Sequence, residues 1–199
     1  MSVTALISAL LLGYVLGSIP FGVILTRIAG ADDLHAIGSG GTGATNVLRT
    51  GRKGLAAATL LLDLAKGALV VFLVLSFFPG MEALGGLAAV IGHCYPLWLR
   101  FRGGKGVATM MGVALGLAWP IGLVFAVVWL AVLAVTRISS AGGMSAAIAA
   151  PVAAQVLGPA IYAPALAAMT VVVLLRHRAN IRRLVAGQEP RIGAGKNRA

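Results

Sequence analysis

The sequence contains few charged residues, and negative charge is the scarcer sign. Charged residues make up 11% of the 199, with 16 Lys and Arg against five Asp and Glu. Soluble domains carry about 25% charged residues, whereas 59% of this chain is hydrophobic. These proportions exclude an ordinary soluble domain and indicate an integral membrane protein.

Cysteine and aromatic residues are scarce as well. The single cysteine, Cys94, excludes an intramolecular disulfide and a multi-cysteine metal site. No cluster of His and carboxylate residues has metal-ligand spacing, so we expect no metal. The net charge of +11 would suit nucleic acid, but aromatic residues are only 6% of the chain. Because platforms for stacking bases are missing, we expect no nucleic-acid partner.

The basic residues fall into four clusters separated by long apolar runs. The clusters begin at Arg27, Arg100, Arg137 and Arg176. The positive-inside rule places such loops in the cytoplasm, so each apolar run between two clusters must cross the membrane an even number of times. The first run, residues 4–26, has no charged region before it. We expect it to remain as a transmembrane helix that brings the chain in from outside.

The apolar runs predict an all-α bundle of seven transmembrane helices. Runs 55–99, 106–136 and 142–175 are broken near Pro79, Pro120 and Pro159, and each crosses twice. We expect a single membrane domain, residues 1–199, with the N-terminus outside and the C-terminus cytoplasmic. Its cytoplasmic motif loops lie at about 27–54, 100–106, 137–141 and 176–199. A full span needs about 20 residues and segment 106–118 is shorter, so a five-span alternative with 106–136 re-entrant or interfacial stays open.

The first cytoplasmic loop contains residues 38–49, GSGGTGATNVLR. Glycines allow backbone N–H groups to converge on an anion, and Ser39, Thr45 and Asn46 add polar side chains. Arg49 adds a guanidinium whose planar fork matches phosphate oxygens. The pattern indicates a phosphate site, with a flexible glycine linker as the alternative.

The second and third loops carry similar chemistry. Residues 101–106, FRGGKG, place Lys105 among glycines just before a predicted helix, where free N–H groups and the helix dipole favour an anion. The alternative is a basic loop that only fixes orientation. In the third loop, Arg137 and Ser140 offer a guanidinium and a hydroxyl at a helix start.

The fourth stretch, residues 176–183, reads RHRANIRR. At helical spacing, His177 and Asn180 share a face. His177 can act as a base or bind a hydroxyl, whereas Arg182 and Arg183 are expected to be solvated.

Three polar residues lie inside the predicted spans. Asp63 and Lys66 are three residues apart, and ionisable groups at that depth are usually paired. The sequence leaves open whether they form a structural ion pair or belong to a site. His93, near the end of the third span, is interpreted as a packing residue.

Cationic side chains that can bind phosphate thus occur on all four loops, at Arg49, Lys105, Arg137 and Arg176 or Arg178. A single bound phosphate group does not need so many cationic side chains. The pattern predicts a site that holds a phosphorylated donor and a phosphorylated acceptor beside a lipid bilayer.

Five segments of the chain together resemble the sequence motifs of a known family. They are GSIPFG (17–22), GSGGTGATNVLR (38–49), DLAKG (63–67), GHCYPLWLRFRGGKGVAT (92–109) and RHRANIRRLVAGQE (176–189). In sequence and order they closely resemble the acyl-phosphate:glycerol-3-phosphate acyltransferases, the PlsY family. The resemblance implies a seven-helix enzyme of the bacterial inner membrane with its active site at the cytoplasmic face. The implied reaction moves a fatty acyl group from acyl phosphate to the 1-hydroxyl of sn-glycerol 3-phosphate. Its products are lysophosphatidic acid and phosphate, the first step of phospholipid synthesis, and it needs no cofactor.

The resemblance also implies the site residues. The expected catalytic residues are Arg49, Lys105 and His177. The expected substrate-binding residues are Ser39, Gly40, Thr45, Asn46, Gly103, Gly104, Arg137, Ser140, Asn180 and Glu189. Whether His177 or the donor phosphate accepts the hydroxyl proton is left open.

Two other functions would use part of this chemistry. A transporter of a phosphorylated metabolite should carry polar residues through both leaflets, whereas the outer halves of the predicted spans are almost purely apolar. A thioester-dependent acyltransferase would need a His-x4-Asp pair, and none of the three histidines has Asp five residues on.

Overall fold

The computed structural model of the chain describes residues 2–31, 33–38 and 40–193, and the regular secondary structure of this part is all helical. The α-helices in chain order are α1 (Val3–Gly17), α2 (Phe21–Ile28), α3 (Ala44–Leu48), α4 (Lys53–Phe77), α5 (Glu82–Cys94), α6 (Val107–Leu117), α7 (Trp119–Thr136), α8 (Ser139–Leu157), α9 (Ala163–Arg176) and α10 (Arg178–Val185). Short 3-10 turns at Leu97–Leu99 and Ala160–Tyr162 precede α6 and α9.

Several helices are long and apolar enough to cross a bilayer. Four segments of the described chain meet that condition, namely Val3–Ile28 (α1 with α2), α4, α7 and α8. The segment Ala160–Arg176 with α10, bent by 64°, raises the number to five, and α6 is a shorter apolar helix. The prediction of an all-α membrane protein is confirmed.

The predicted breaks in the apolar runs all lie between helices. Pro79, Pro120 and Pro159 fall at the α4–α5, α6–α7 and α8–α9 boundaries. A fourth break was not predicted. Residues 4–26 do not form one continuous helix, because Pro20 lacks an N–H group and caps a new helix, α2. The expected loops 27–54 and 176–199 also contain helices α3 and α10.

Small residues bring the central helices together. A β-carbon on Gly112 of α6 would overlap the carbonyl oxygen of Leu64 on α4, and one on Gly67 of α4 would overlap that of Thr109 on α6. The two backbones therefore touch, as is common where helices pack in lipid. This contact fixes the start of α6 against the middle of α4.

The bundle is apolar inside and outside. Its largest buried cluster joins α4 to α9 and includes Met110, Phe125, Leu166 and Met169. Large apolar side chains such as Phe72 and Leu130 remain 65% and 56% exposed on the outer surface. In lipid, an apolar exterior is the expected surface, since water is excluded there.

Candidate active site

One cavity, of about 340 Å³, opens where the four motif loops meet. Residues from the first turns of α6 and α8, from α3, from the α9–α10 junction and from the C-terminal segment line it. One side of the cavity is polar. The other side is apolar and is lined by Leu60, Val107, Met111, Phe125 and Trp129.

The N-terminus of α6 supplies the polar side with backbone donors and a cation. The first turn of a helix leaves its N–H groups without intrahelical partners, and Gly106, Val107 and Ala108 line the cavity. Lys105 precedes them, and its Nζ donates to Oδ1 of Asn180 at 2.7 Å. Burial, together with the nearby arginines, lowers the pKa of Lys105 to about 8.

The two glycines before Lys105 are held from both sides. The N–H groups of Gly103 and Gly104 donate to the carbonyl oxygens of Cys94 at 3.3 Å and His93 at 3.1 Å. Their carbonyl oxygens each accept a hydrogen bond of 3.0 Å from the guanidinium of Arg176. The glycine N–H groups are therefore paired within the protein, and Arg176 positions this loop. Gly104 lines the cavity, and Gly103 does not.

The first loop brings Arg49 and Asn46 to the cavity. Asn46 is buried, its side-chain amide donates to the carbonyl of Leu34 at 2.8 Å, and its Oδ1 accepts from Nη1 of Arg49 at 3.1 Å. Thr45 Oγ1 lies 3.0 Å from Ser139 Oγ, which links the first loop to the third. Gly40 adopts a φ of +65° and lies outside the lining. Ser39 is outside the described residues.

The third loop contributes the start of α8. Ser139 and Ser140 line the cavity, and Ser140 Oγ donates to Glu189 Oε1 at 2.7 Å. Arg137 does not line it. Its Nη2 donates to the carbonyl of Ile192 at 3.2 Å and its own carbonyl accepts from the N–H of Ile192 at 2.8 Å. Arg137 therefore holds the C-terminal segment against the third loop.

His177 follows the last residue of α9 and is buried against the cavity. Its Nδ1 lies 2.8 Å from the carbonyl oxygen of Val173. A carbonyl only accepts, so Nδ1 carries the proton and Nε2 of the neutral ring is an acceptor. Burial lowers the pKa of His177 to about 4. The ring is therefore neutral at physiological pH and a weak base.

Glu189 connects the third loop to the fourth. It accepts hydrogen bonds from Ser140, from the amide of Asn180, and from Nε of Arg183 at 2.7 Å. Burial alone would raise the pKa of Glu189, but these donors outweigh it and lower the pKa. Arg183 was expected to be solvated; its side chain is 36% exposed, but it also pairs with this carboxylate, which the sequence did not indicate.

The structure brings most of the sequence-predicted site residues together. Nine line the cavity: Thr45, Asn46, Arg49, Gly104, Lys105, Ser140, His177, Asn180 and Glu189. Among the described residues, Gly40, Gly103 and Arg137 do not. Sequence reasoning missed the apolar wall, whose members look like any other residues of an apolar span.

It also missed a buried polar cluster in the cavity wall. Asp63 and Lys66 form the ion pair left open above, with Oδ1 and Nζ 2.7 Å apart. His93 was interpreted as a packing residue, but its Nδ1 lies 3.0 Å from Lys66 Nζ, and both Asp63 and His93 line the cavity. The i, i+3 spacing of Asp63 and Lys66 identified the ion pair. No local sequence pattern relates Lys66 to His93, which is 27 positions away.

Comparison with known proteins decides the family. The sequence model described as "Glycerol-3-phosphate acyltransferase" matches residues 7–187. The chain belongs to the glycerol-3-phosphate acyltransferase family. A glycerol-3-phosphate acyltransferase of Novosphingobium aromaticivorans is 68% identical over 187 residues, which are 94% of this chain and 95% of that one. The corresponding protein of Erythrobacter litoralis is 56% identical over 185 residues, 93% of this chain and 94% of that one.

Solved structures of this acyltransferase family agree with the fold. The crystal structure of PlsY, an integral membrane glycerol 3-phosphate acyltransferase, in its glycerol 3-phosphate form has a TM-score of 0.89 and 34% identity. The match covers 94% of this chain and 96% of that one. The lysophosphatidic acid form of PlsY gives 0.87 and 33%, covering 94% and 95%.

Proposed function

We propose that this protein is a membrane acyltransferase that moves a fatty acyl group from acyl phosphate to the 1-hydroxyl of sn-glycerol 3-phosphate. The products are lysophosphatidic acid and phosphate, and the reaction is the first step of phospholipid synthesis. The enzyme works as a single domain in the bacterial inner membrane, with its site at the cytoplasmic face.

The observation that carries this proposal is the two-sided cavity. Its polar side combines Lys105 and Arg49 with the first turns of two helices, α6 and α8. Cations and helix N-termini are ligands for phosphate, and two such helix ends suit two phosphorylated substrates. Its apolar side, between Met111, Phe125 and Trp129, suits a fatty chain.

The solved relatives support both the acceptor and the product. The two PlsY structures are described as a glycerol 3-phosphate form and a lysophosphatidic acid form. Because the two matches cover 94% of this chain, they support the same acceptor and product here. The acyl-phosphate donor is supported by the resemblance of the five segments to the PlsY family, and the two helix N-termini at the cavity suit a second phosphate group.

The chain's own residues suit a reaction that needs no strong base. The glycerol hydroxyl oxygen attacks the acyl carbonyl carbon, a new ester C–O bond forms, and the C–O bond to phosphate breaks. His177 Nε2 accepts a hydrogen bond from the hydroxyl and orients it. With the pKa of His177 near 4, the departing phosphate is the better proton acceptor, and it leaves carrying the hydroxyl proton.

We also propose that the chain crosses the membrane seven times, with the N-terminus outside. Arg49, Lys105 and Arg191 line the cavity, whereas Lys66 is buried within α4. The cavity then faces the cytoplasm by the positive-inside rule. In this topology α5 and α6, with 13 and 11 residues, are short crossings.

Purified protein tests the reaction directly. With a long-chain acyl phosphate and glycerol 3-phosphate, it should form lysophosphatidic acid and release phosphate in equal amounts. Acyl-CoA as sole donor should give no steady turnover, because none of the described residues that line the cavity is placed to recognise a nucleotide. Steady turnover with acyl-CoA, or no product from acyl phosphate, would overturn the proposal.

A further inference from the structure

His93 has one ring nitrogen paired and the other unpaired in the cavity wall. Its Nδ1 lies 3.0 Å from Lys66 Nζ and 3.5 Å from Asp63 Oδ1. Among the described residues Nε2 has no hydrogen-bond partner. The residue is 7% exposed and lines the cavity.

The pairing around Lys66 fixes the tautomer of this histidine. An ammonium group has three N–H donors and no acceptor. Lys66 Nζ donates to the carbonyl of Ile19 at 2.7 Å, is paired with Asp63 at 2.7 Å, and contacts Nδ1 of His93. Nδ1 must therefore accept. The proton of the neutral ring is on Nε2, which makes Nε2 a donor.

The Nε2 end of the ring lies beside the loop that carries Lys105. A β-carbon on Gly104 would overlap Nε2, and His93 also accepts the N–H of Gly104 through its own carbonyl. The donor is thus fixed next to the segment that supplies the cation and the start of α6. Because no group of the described chain pairs with this N–H, it is available to a substrate bound in the cavity that His93 lines.

The charge nearby decides which substrate oxygen suits this donor. Asp63 also lines the cavity, and a carboxylate repels a phosphate dianion placed beside it. A carbonyl oxygen is neutral before the reaction and gains negative charge as the hydroxyl attacks. A fixed neutral donor stabilises that charge without having to reorganise.

We propose that the Nε2–H group of His93 donates a hydrogen bond to the acyl carbonyl oxygen, and that Asp63 and Lys66 are positioning residues that hold the ring in this tautomer. This inference rests on the acyl-transfer function proposed above. It adds a substrate-contacting residue that acts on the developing charge rather than on either phosphate.

Kinetics of matched variants test the donor. His93→Phe removes the N–H group and keeps a flat ring, so kcat should fall by about 10²–10³-fold, while KM for glycerol 3-phosphate changes little. His93→Gln returns an N–H donor near the position of Nε2 and should recover a large part of kcat. His35→Phe, the same change at a histidine outside the cavity lining, is the control and should retain wild-type kcat.

Nitrogen-15 NMR of histidine-labelled protein gives a readout that a structural role would not move. The chain has three histidines, and the variants above assign two of them. In the wild type, the His93 signals should show an unprotonated Nδ1 and a protonated Nε2. Lysophosphatidic acid, which has a carbonyl group, should shift the Nε2 signal, whereas glycerol 3-phosphate, which has none, should not. Lys66→Met should move the proton to Nδ1, facing Asp63.

Each result decides one question. A wild-type ring protonated at Nδ1, or an Nε2 signal that glycerol 3-phosphate shifts as much as lysophosphatidic acid does, would overturn the inference. So would wild-type kcat in a folded His93→Phe variant. If the wild type itself makes no lysophosphatidic acid from acyl phosphate, the proposed function fails. The NMR spectra then still report the tautomer.

Discussion

Two histidines in the same cavity wall are fixed in opposite tautomers. His177 donates a hydrogen bond from Nδ1–H to the carbonyl of Val173, which leaves Nε2 as an acceptor. His93 receives a hydrogen bond from Lys66 at Nδ1, which leaves Nε2 as a donor. The same side chain can therefore orient a hydroxyl at one place and stabilise an oxyanion at another, and the partner of Nδ1 decides which.

The tautomer of His177 predicts the effect of replacing it. Gln can present an amide oxygen as an acceptor but cannot titrate. If His177 only orients the hydroxyl, His177→Gln should retain appreciable kcat and raise KM for glycerol 3-phosphate. A general base would instead cost about 10²–10⁴-fold in kcat. Steady-state kinetics with saturating acyl phosphate separates the two, and a kcat loss in that range without a change in KM would restore His177 as the base.

The pKa of Lys105 predicts an alkaline limit to activity. Its folded pKa is lowered to about 8, so the free enzyme loses this positive charge as the pH rises through about 8. We expect kcat/KM for glycerol 3-phosphate to fall over the same interval, since kcat/KM reports ionisations of the free enzyme. In Lys105→Arg the group stays charged, and any remaining activity should lack this limb. An unchanged limb in that variant would assign it to another group.

At the scale of an element, the loop before α6 tolerates no side chain at its glycines. A β-carbon on Gly104 would overlap Nε2 of His93, so Gly104→Ala must displace either the ring or the loop. We expect a loss of most activity while the protein remains folded. Gly54→Ala on α4 is the matched control, because no atom lies within 4 Å of the added carbon and Ala favours a helix. Activity and thermal melting of both purified variants give the comparison.

The elements show how far the sequence alone could predict this structure. Proline-containing turns near Pro79, Pro120 and Pro159 marked helix ends, because proline cannot continue a helix. Pro20 lies within an otherwise unbroken apolar run, and hydropathy alone does not reveal such a break. The basic residues of α10 were predicted at helical spacing, but nothing in the sequence indicates that Glu189 folds back onto Arg183.

Site residues could be predicted from the sequence where the residue type and its near neighbours already indicate a ligand. The residue types of Lys105 and Asn180 mark them as polar ligands, and both line the cavity. The pairing of the Gly103 N–H with a carbonyl of α5, and of Arg137 with Ile192, depends on which segments meet in the fold. Tertiary contacts of this kind leave no periodic signal, which is also why His93 was missed.

At the scale of the whole molecule, single-cysteine labelling tests the proposed topology. The native Cys94 is fully buried and need not interfere. Cysteines at Arg102 and Arg137, both exposed, should react from the cytoplasmic side. Cysteines at Gly80 and Trp119 should react from outside. Labelling at Trp119 from inside, with Gly80 still outside, would favour the five-span alternative in which 106–136 is re-entrant.

The polar and apolar sides of the cavity imply that the two substrates reach it from different phases, so their concentrations are expressed in different units. In the reaction proposed above, a donor whose chain lies along Met111, Phe125 and Trp129 would arrive by lateral diffusion in the bilayer, whereas glycerol 3-phosphate would arrive from water. The relevant amount of donor is then its mole fraction in the lipid. Diluting a fixed quantity of acyl phosphate with inert phospholipid should therefore slow the reaction, although nothing in the aqueous phase has changed.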